Sequence, residues 1–175
     1  MVINQGIAFD KDKFKQVLHY IISKVGTLDN IGKTVLYKML YFSDFDYYEL
    51  NEKSITGEKY FKLLNGPAPS GFNLIVEELE KEGKIKKIDA KYGNLLQIKF
   101  LSLCNPNLNL LSANELQLIG TVINKLSSMT ASQVSGYSHK DMPWEATKEG
   151  EEIDYELVFY RSPAFSVSQE NGSVC

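Results

Sequence analysis

Asp44, Asp46 and Glu49 stand close together in the stretch DFDYYE, and carboxylates so spaced are candidates for acid/base work or for holding a metal ion. Asp44 lies among aromatic residues, where an unpaired carboxylate would cost several kcal/mol. Its expected role is therefore to accept hydrogen bonds from a tyrosine, a backbone amide or a lysine, with Lys38 or Lys59 as the lysine candidates. Further along, Ser138, His139 and Asp141 supply the members of a hydrolase triad. Triads assemble from distant parts of a chain so that each group can face the next, and adjacency here argues against one. The preferred reading is structural: Ser138 or Asp141 caps a turn, Pro143 sits near the first helical position, and Trp144 docks its indole on the core. The alternative places His139 and Trp144 on a recognition surface, where a large ring beside a polar imidazole is at home.

Other chemistry is absent from the pattern. Cys104 and Cys175, with two histidines, match no zinc-ligand spacing and no disulfide framework. The Gly66-Pro67-Ala68-Pro69 segment lacks the glycine-rich run and Lys-Ser/Thr of a phosphate loop. It reads as a stiff connection or as a preformed contact edge that loses little entropy on binding. No catalytic residue, metal or cofactor is called for, and the chain is not expected to be an enzyme.

The elements that must position these residues follow from periodicity. A first helix starts at Asp10 or Asp12, buries Phe14, Val17, Leu18, Ile21, Ile22 and Val25, and stops at Gly26 in a left-handed cap. A second, capped by Thr27 or Asp29, carries Val35, Leu36, Tyr37, Met39, Leu40, Tyr41, Phe42 and Phe45 on all sides, which marks a central helix. Tyr60 to Leu64 reads as a strand, and Gly66 to Pro69 as a rigid loop. A third helix runs from Ser70 to about Glu82 with Phe72, Ile75, Val76 and Leu79 inward. Lys84–Ile88 and Leu95–Leu101 form a hairpin that could extend a sheet with the Tyr60 strand. Ser112-Ala113-Asn114-Glu115 is a capping box for a long helix with Leu116, Ile119, Val122, Ile123 and Leu126 on its apolar stripe. A shorter helix spans about Thr130 to Tyr137. Ile153 to Phe159 alternate like a strand, while Asp154 would allow a short helix through Tyr160 instead. From Ser162 onward the composition predicts a mobile tail.

KMLYFSDF (Lys38 to Phe45), ITGEKY (Ile55 to Tyr60), NGPAP (Asn65 to Pro69) and SHKDMPWEA (Ser138 to Ala146) together resemble the Panacea domain, also called SocA-like, of bacterial antitoxins and phage-associated proteins. The resemblance implies an α+β single domain, mostly helical with a small antiparallel sheet, over residues 1–161, ahead of a disordered tail at 162–175. It implies an antitoxin that neutralises a cognate protein toxin by direct binding, or an adaptor that presents the toxin to a cellular protease. Tyr60, Gly66, Pro67, Pro69, His139 and Trp144 are the candidate toxin-binding residues. Many family members carry a helix-turn-helix domain ahead of this one. Here only a few residues precede the first helix, so self-regulation of transcription is not expected.

Bulk properties agree with a soluble domain. At 175 residues, with 43% hydrophobic and 23% charged, one domain is the default, burying roughly 70% of the unfolded surface. The formal net charge of -3 gives no general attraction to phosphate or anionic lipid. The start lacks the order of a secretory signal and no long apolar run is present, so a cytoplasmic protein with no membrane span is expected. A helix followed by a hairpin has the order of a winged helix and raises a DNA-binding regulator as an alternative. Glu77, Glu78, Glu80 and Glu82 on that helix would meet the DNA backbone with like charge, which disfavours specific DNA binding.

Overall fold

The computed structural model describes residues 7–168. Along the chain run α1 (Lys11–Val25), α2 (Lys33–Asn51), β1 (Tyr60–Leu63), β2 (Gly66–Pro69), α3 (Phe72–Lys81), β3 (Ile85–Tyr92), β4 (Leu95–Ser102), α4 (Ala113–Leu126), α5 (Ala131–Ser138), α6 (Met142–Glu145) and a closing 3-10 helix, Tyr155–Tyr160. The fold is α+β, with helices gathered about one core. Among the described residues β1–β2 and β3–β4 form two separate antiparallel sheets, so the hairpin does not extend the Tyr60 strand. The base of the hairpin is instead held between α3 and the α1–α2 connection: Phe100 meets the ring of Phe72, and Lys99 donates to the carbonyls of Leu28 and Ile31.

α2 is central because it is apolar all round. It touches α1, α4, α5, β2, β4 and the 3-10 helix, and Val35, Met39, Tyr41 and Phe45 are fully buried in it. α1 begins at Asp10, whose carboxylate accepts the Lys13 amide at 3.0 Å. Ser112 and Glu115 form the expected reciprocal box at the start of α4, and Thr130 with Gln133 does the same for α5.

Local details depart from the sequence expectations for identifiable reasons. Gly26 has an ordinary φ of -59°, not a left-handed one. A side chain there would place its Cβ 2.3 Å from the Phe100 carbonyl oxygen, so the glycine serves close approach of the hairpin. α2 is preceded by Gly32 with no side-chain cap, and neither Thr27 nor Asp29 fills that place. Gly66 to Pro69 is not a loop but strand β2, paired with Tyr60↔Pro69 and Lys62↔Pro67 in register. Prolines are tolerated because the main-chain groups of Tyr60 and Lys62 point away from β2: Ile153 N donates to Tyr60 O at 2.8 Å, and Lys62 N to Glu151 O at 3.0 Å. No ladder bond is lost where Pro67 and Pro69 lack their N–H. The segment near Ile153 therefore contributes only a bridge beside β1, and Asp154 caps the 3-10 helix.

The expected tail begins with docked residues. Ser162 to Ser168 lie against α2 and α5, because Phe165 stacks on Tyr137 and Glu49 accepts from Ser166 and Ser168. The remainder of the expected tail, 169–175, falls outside the described residues.

Leu40, 1% exposed on α2, tests the central placement of this helix. Leu40→Ala is expected to cost about 2–5 kcal/mol. A loss below roughly 0.5 kcal/mol in chemical denaturation, the size of a surface change, would place the helix at the periphery.

Candidate functional site

Asp44 is completely enclosed and accepts three hydrogen bonds, from the Thr56 amide at 2.8 Å, Thr56 Oγ1 at 2.6 Å and Tyr60 Oη at 2.7 Å. Burial pushes its carboxyl up to about 6 even though these donors favour the anion. Its partners are the tyrosine and the amide, not a lysine: Lys59 is exposed, and Lys38 donates to Pro67 O at 3.2 Å. With its oxygens engaged, Asp44 fastens the turn before β1 to α2 and is not free to act as a base.

Asp46 and Glu49 converge on Arg161, a residue that belongs to none of the sequence motifs. The Arg161 guanidinium is fully enclosed and forks across three carboxylates. Nε and Nη2 donate to the two Asp141 oxygens at 2.9 and 2.8 Å, and Nη1 donates to Asp46 at 2.8 Å and Glu49 at 3.2 Å. Tyr41 Oη adds a bond to Asp141 Oδ2 at 2.8 Å. Burial pushes Asp46 up to about 6 against the pull of Arg161, while the anions around Arg161 outweigh its own burial and hold its pKa above the ordinary arginine value. Glu49 goes the other way: burial would raise it, but hydrogen bonds from Ser166 and Ser168 hold it below the usual carboxylate range. One signal was available in the sequence. Arg161 is the chain's only arginine among 18 lysines, and a planar fork is what bidentate carboxylate pairing requires.

The Ser138, His139, Asp141 trio is not a triad. Asp141 spends both oxygens on Arg161 and Tyr41, and Ser138 Oγ donates to Ser135 O at 2.8 Å. Asp141 precedes α6 without a side-chain cap bond, and Pro143 lies in the first turn. His139 stacks on Trp144 with ring centres 4.1 Å apart and 14° between planes. Lys62 Nζ lies 3.8 Å from the Trp144 ring centre, in cation–π range. Both residues are half-buried, and His139 Nε2 and Trp144 Nε1 are enclosed without a hydrogen-bond partner.

Among the other candidate contact residues, Tyr60 is fully buried and Gly66, Pro67 and Pro69 are buried as well. Gly66 shows why. At φ 108° it packs against α2 and α5, and a Cβ would fall 2.4 Å from Ser138 Oγ and 2.6 Å from Lys38 Cε. These four residues are framework. The ribbon presents instead its turn, where Leu63 is 48% and Leu64 76% exposed.

The model of the family described as "Antitoxin SocA-like, Panacea domain" matches residues 36–145. That span covers most of the chain and takes in α2 from Leu36 onward, both ribbons and the His139–Trp144 pair. The chain belongs to this family. No curated protein and no solved structure matches it. An antitoxin-like role with a protein partner is thus indicated for this Panacea domain. Among the described residues no cluster of His, Cys, Asp and Glu could hold a metal ion, and no helix is long and apolar enough to cross a membrane.

Two substitutions test the electrostatics of the Panacea domain. Arg161→Met should cost about 3–5 kcal/mol near pH 8, because three carboxylates lose their cation. The loss should shrink at pH 5, where Asp46, already pushed up to about 6, can take up a proton. An equal loss at both pH values, read from denaturant midpoints, would remove the charge cluster as its cause.

Lys38 is 1% exposed, and burial pushes it down to about 7. Its folded pKa lies below its unfolded one, so between about pH 7 and 10 the unfolded chain binds a proton that the folded chain does not. Stability should rise with pH across that window, by up to about 1.4 kcal/mol per pH step. Lys38→Met should lack that rise, and parallel stability profiles for parent and variant would sink the assignment.

Proposed function

We propose that this Panacea domain is an antitoxin that neutralises a cognate protein toxin by direct binding, through a face centred on the β1–β2 turn and the His139–Trp144 pair. The observation that carries the reading is the continuity from exposed Leu63 and Leu64 through Lys62 to Trp144 and His139. It joins exposed apolar area and a cation to a stacked aromatic pair, of which tryptophan is among the residues enriched at interface hot spots. The family match supplies the antitoxin-like class of partner. Tyr60, Gly66, Pro67 and Pro69 support this face from beneath, by fixing the ribbon against α2.

Co-expression with the product of the adjacent open reading frame tests the reading. Growth rescue and co-purification are expected, and rescue should persist in a protease-deficient host. Rescue that vanishes in that host would favour delivery of the toxin to a protease. Leu64→Glu and His139→Ala should keep the parental melting temperature while weakening toxin binding by about tenfold, the equivalent of 1.4 kcal/mol. Unchanged affinity in both folded variants would move the contact face elsewhere.

A further inference from the structure

A groove between α2, α4 and α5 is walled by Phe42, Val122, Leu126 and Tyr137, and Phe165 and Val167 of the chain's own closing segment cover it. Phe165 is the anchor, stacked on Tyr137 with ring centres 4.8 Å apart and 28° between planes. At one end Glu49 accepts Ser166 Oγ at 2.7 Å and the Ser168 amide at 2.9 Å. Among the described residues these are the hydrogen bonds that tie 162–168 to the helices, since the Phe165 and Ser166 amides both turn back to Ser162 O.

Several features give this segment the character of a ligand held in cis. Arg161 is held immediately before it by the Asp141 fork and by Asp46, bonds in which residues 162–168 take no part, while Glu49 would exchange its Ser166 and Ser168 donors for those of an incoming segment. Phe165 and Val167 remain partly exposed, and a cavity of about 80 Å³ persists beside them, so the site is incompletely filled. The segment also lies outside the family-matched span of 36–145. The bonds at Glu49 need only a main-chain N–H and a hydroxyl, which a segment carrying a serine or threonine can offer. Lys125 Nζ, 5.2 Å from the Tyr137 ring centre, places an exposed cation at the rim.

We propose that this groove is a binding site for a turn-forming protein segment bearing an aromatic anchor, and that residues 162–168 occupy it in competition with that segment. The proposal is independent of toxin neutralisation. A tethered occupant acts at a high effective concentration, so an incoming segment meets an apparent affinity reduced by the fraction of chains in which the groove is open.

The probe is a fluorescein-labelled peptide of sequence Ser-Pro-Ala-Phe-Ser-Val-Ser, titrated by anisotropy against the full chain and its Phe165→Ala variant. The variant should retain cooperative unfolding and bind the peptide at least about tenfold more tightly than the parent. Adding Tyr137→Ala to the variant, or replacing the peptide's phenylalanine by alanine, should abolish that gain. In the parent, excess peptide should accelerate hydrogen exchange at the Ser168 amide. Three results would each overturn the proposal: equal peptide affinity in parent and variant, binding indifferent to the peptide's aromatic ring, or loss of the cooperative fold on Phe165→Ala, which would make the segment a core element.

Discussion

Closure of this domain depends on one planar cation. Arg161 reaches Asp141 at the α5–α6 turn with a two-pronged bond and Asp46 and Glu49 on α2 with its remaining nitrogen, so one side chain ties the last described segment to the central helix and to the turn below it. A lysine could not span these groups, because an ammonium offers a point charge where the fork offers fixed, separated donors. Three carboxylates face one guanidinium. The imbalance is tolerable because Tyr41, Ser166 and the Ser168 amide add hydrogen bonds to the anions, and because Asp46, pushed up to about 6 by burial, takes up a proton more readily than an ordinary carboxylate.

A second polar assembly fixes the β1–β2 ribbon. Asp44 gathers Thr56 and Tyr60, while the Glu58 carboxylate takes Ser70 Oγ and the Gly71 amide at the entrance to α3. Tyr155 Oη donates to the Glu58 carbonyl at 2.6 Å, which links this assembly to the 3-10 helix. Lys38 lies against the ribbon as a buried amine that donates to the Pro67 carbonyl, and Gly66 makes that approach possible. The ribbon is consequently held at its base and free at its turn, a geometry that projects Leu63 and Leu64 outward.

This arrangement separates an exposed rim from buried support within the same motifs. The carboxylates of Asp44 and Asp141 look like chemistry in one dimension, yet their oxygens are consumed by donors of the fold. What remains accessible is the rim of the motifs: the ribbon turn, Lys62 beside the half-buried Trp144, and an aromatic groove covered by residues 162–168. An antitoxin-like domain needs no reactive group. It needs a rigid surface, and the two buried assemblies supply the rigidity beneath that surface.

Much of this was legible in the sequence. The burial of α1, α2, α3 and α4 follows from 3.6-residue periodicity, and the Ser112 and Asp10 caps follow from side chains that satisfy free amides within a few residues. Such local interactions are written in neighbouring letters. The family likeness was also readable, from four short motifs in order. What the tertiary structure alone decided was every choice that depends on distant partners. Gly66 to Pro69 becomes a strand because residues near Ile153 take the opposite edge of β1. Gly26 is required by a carbonyl more than seventy positions away, at Phe100. Tyr60, Gly66, Pro67 and Pro69 turn inward because α2 and α5 close over them, and Arg161 draws Asp46, Glu49 and Asp141 together across about a hundred residues of chain. Sequence patterns report the periodicity that buries a face, but which charges and edges meet is set by how the packed elements fold back on one another.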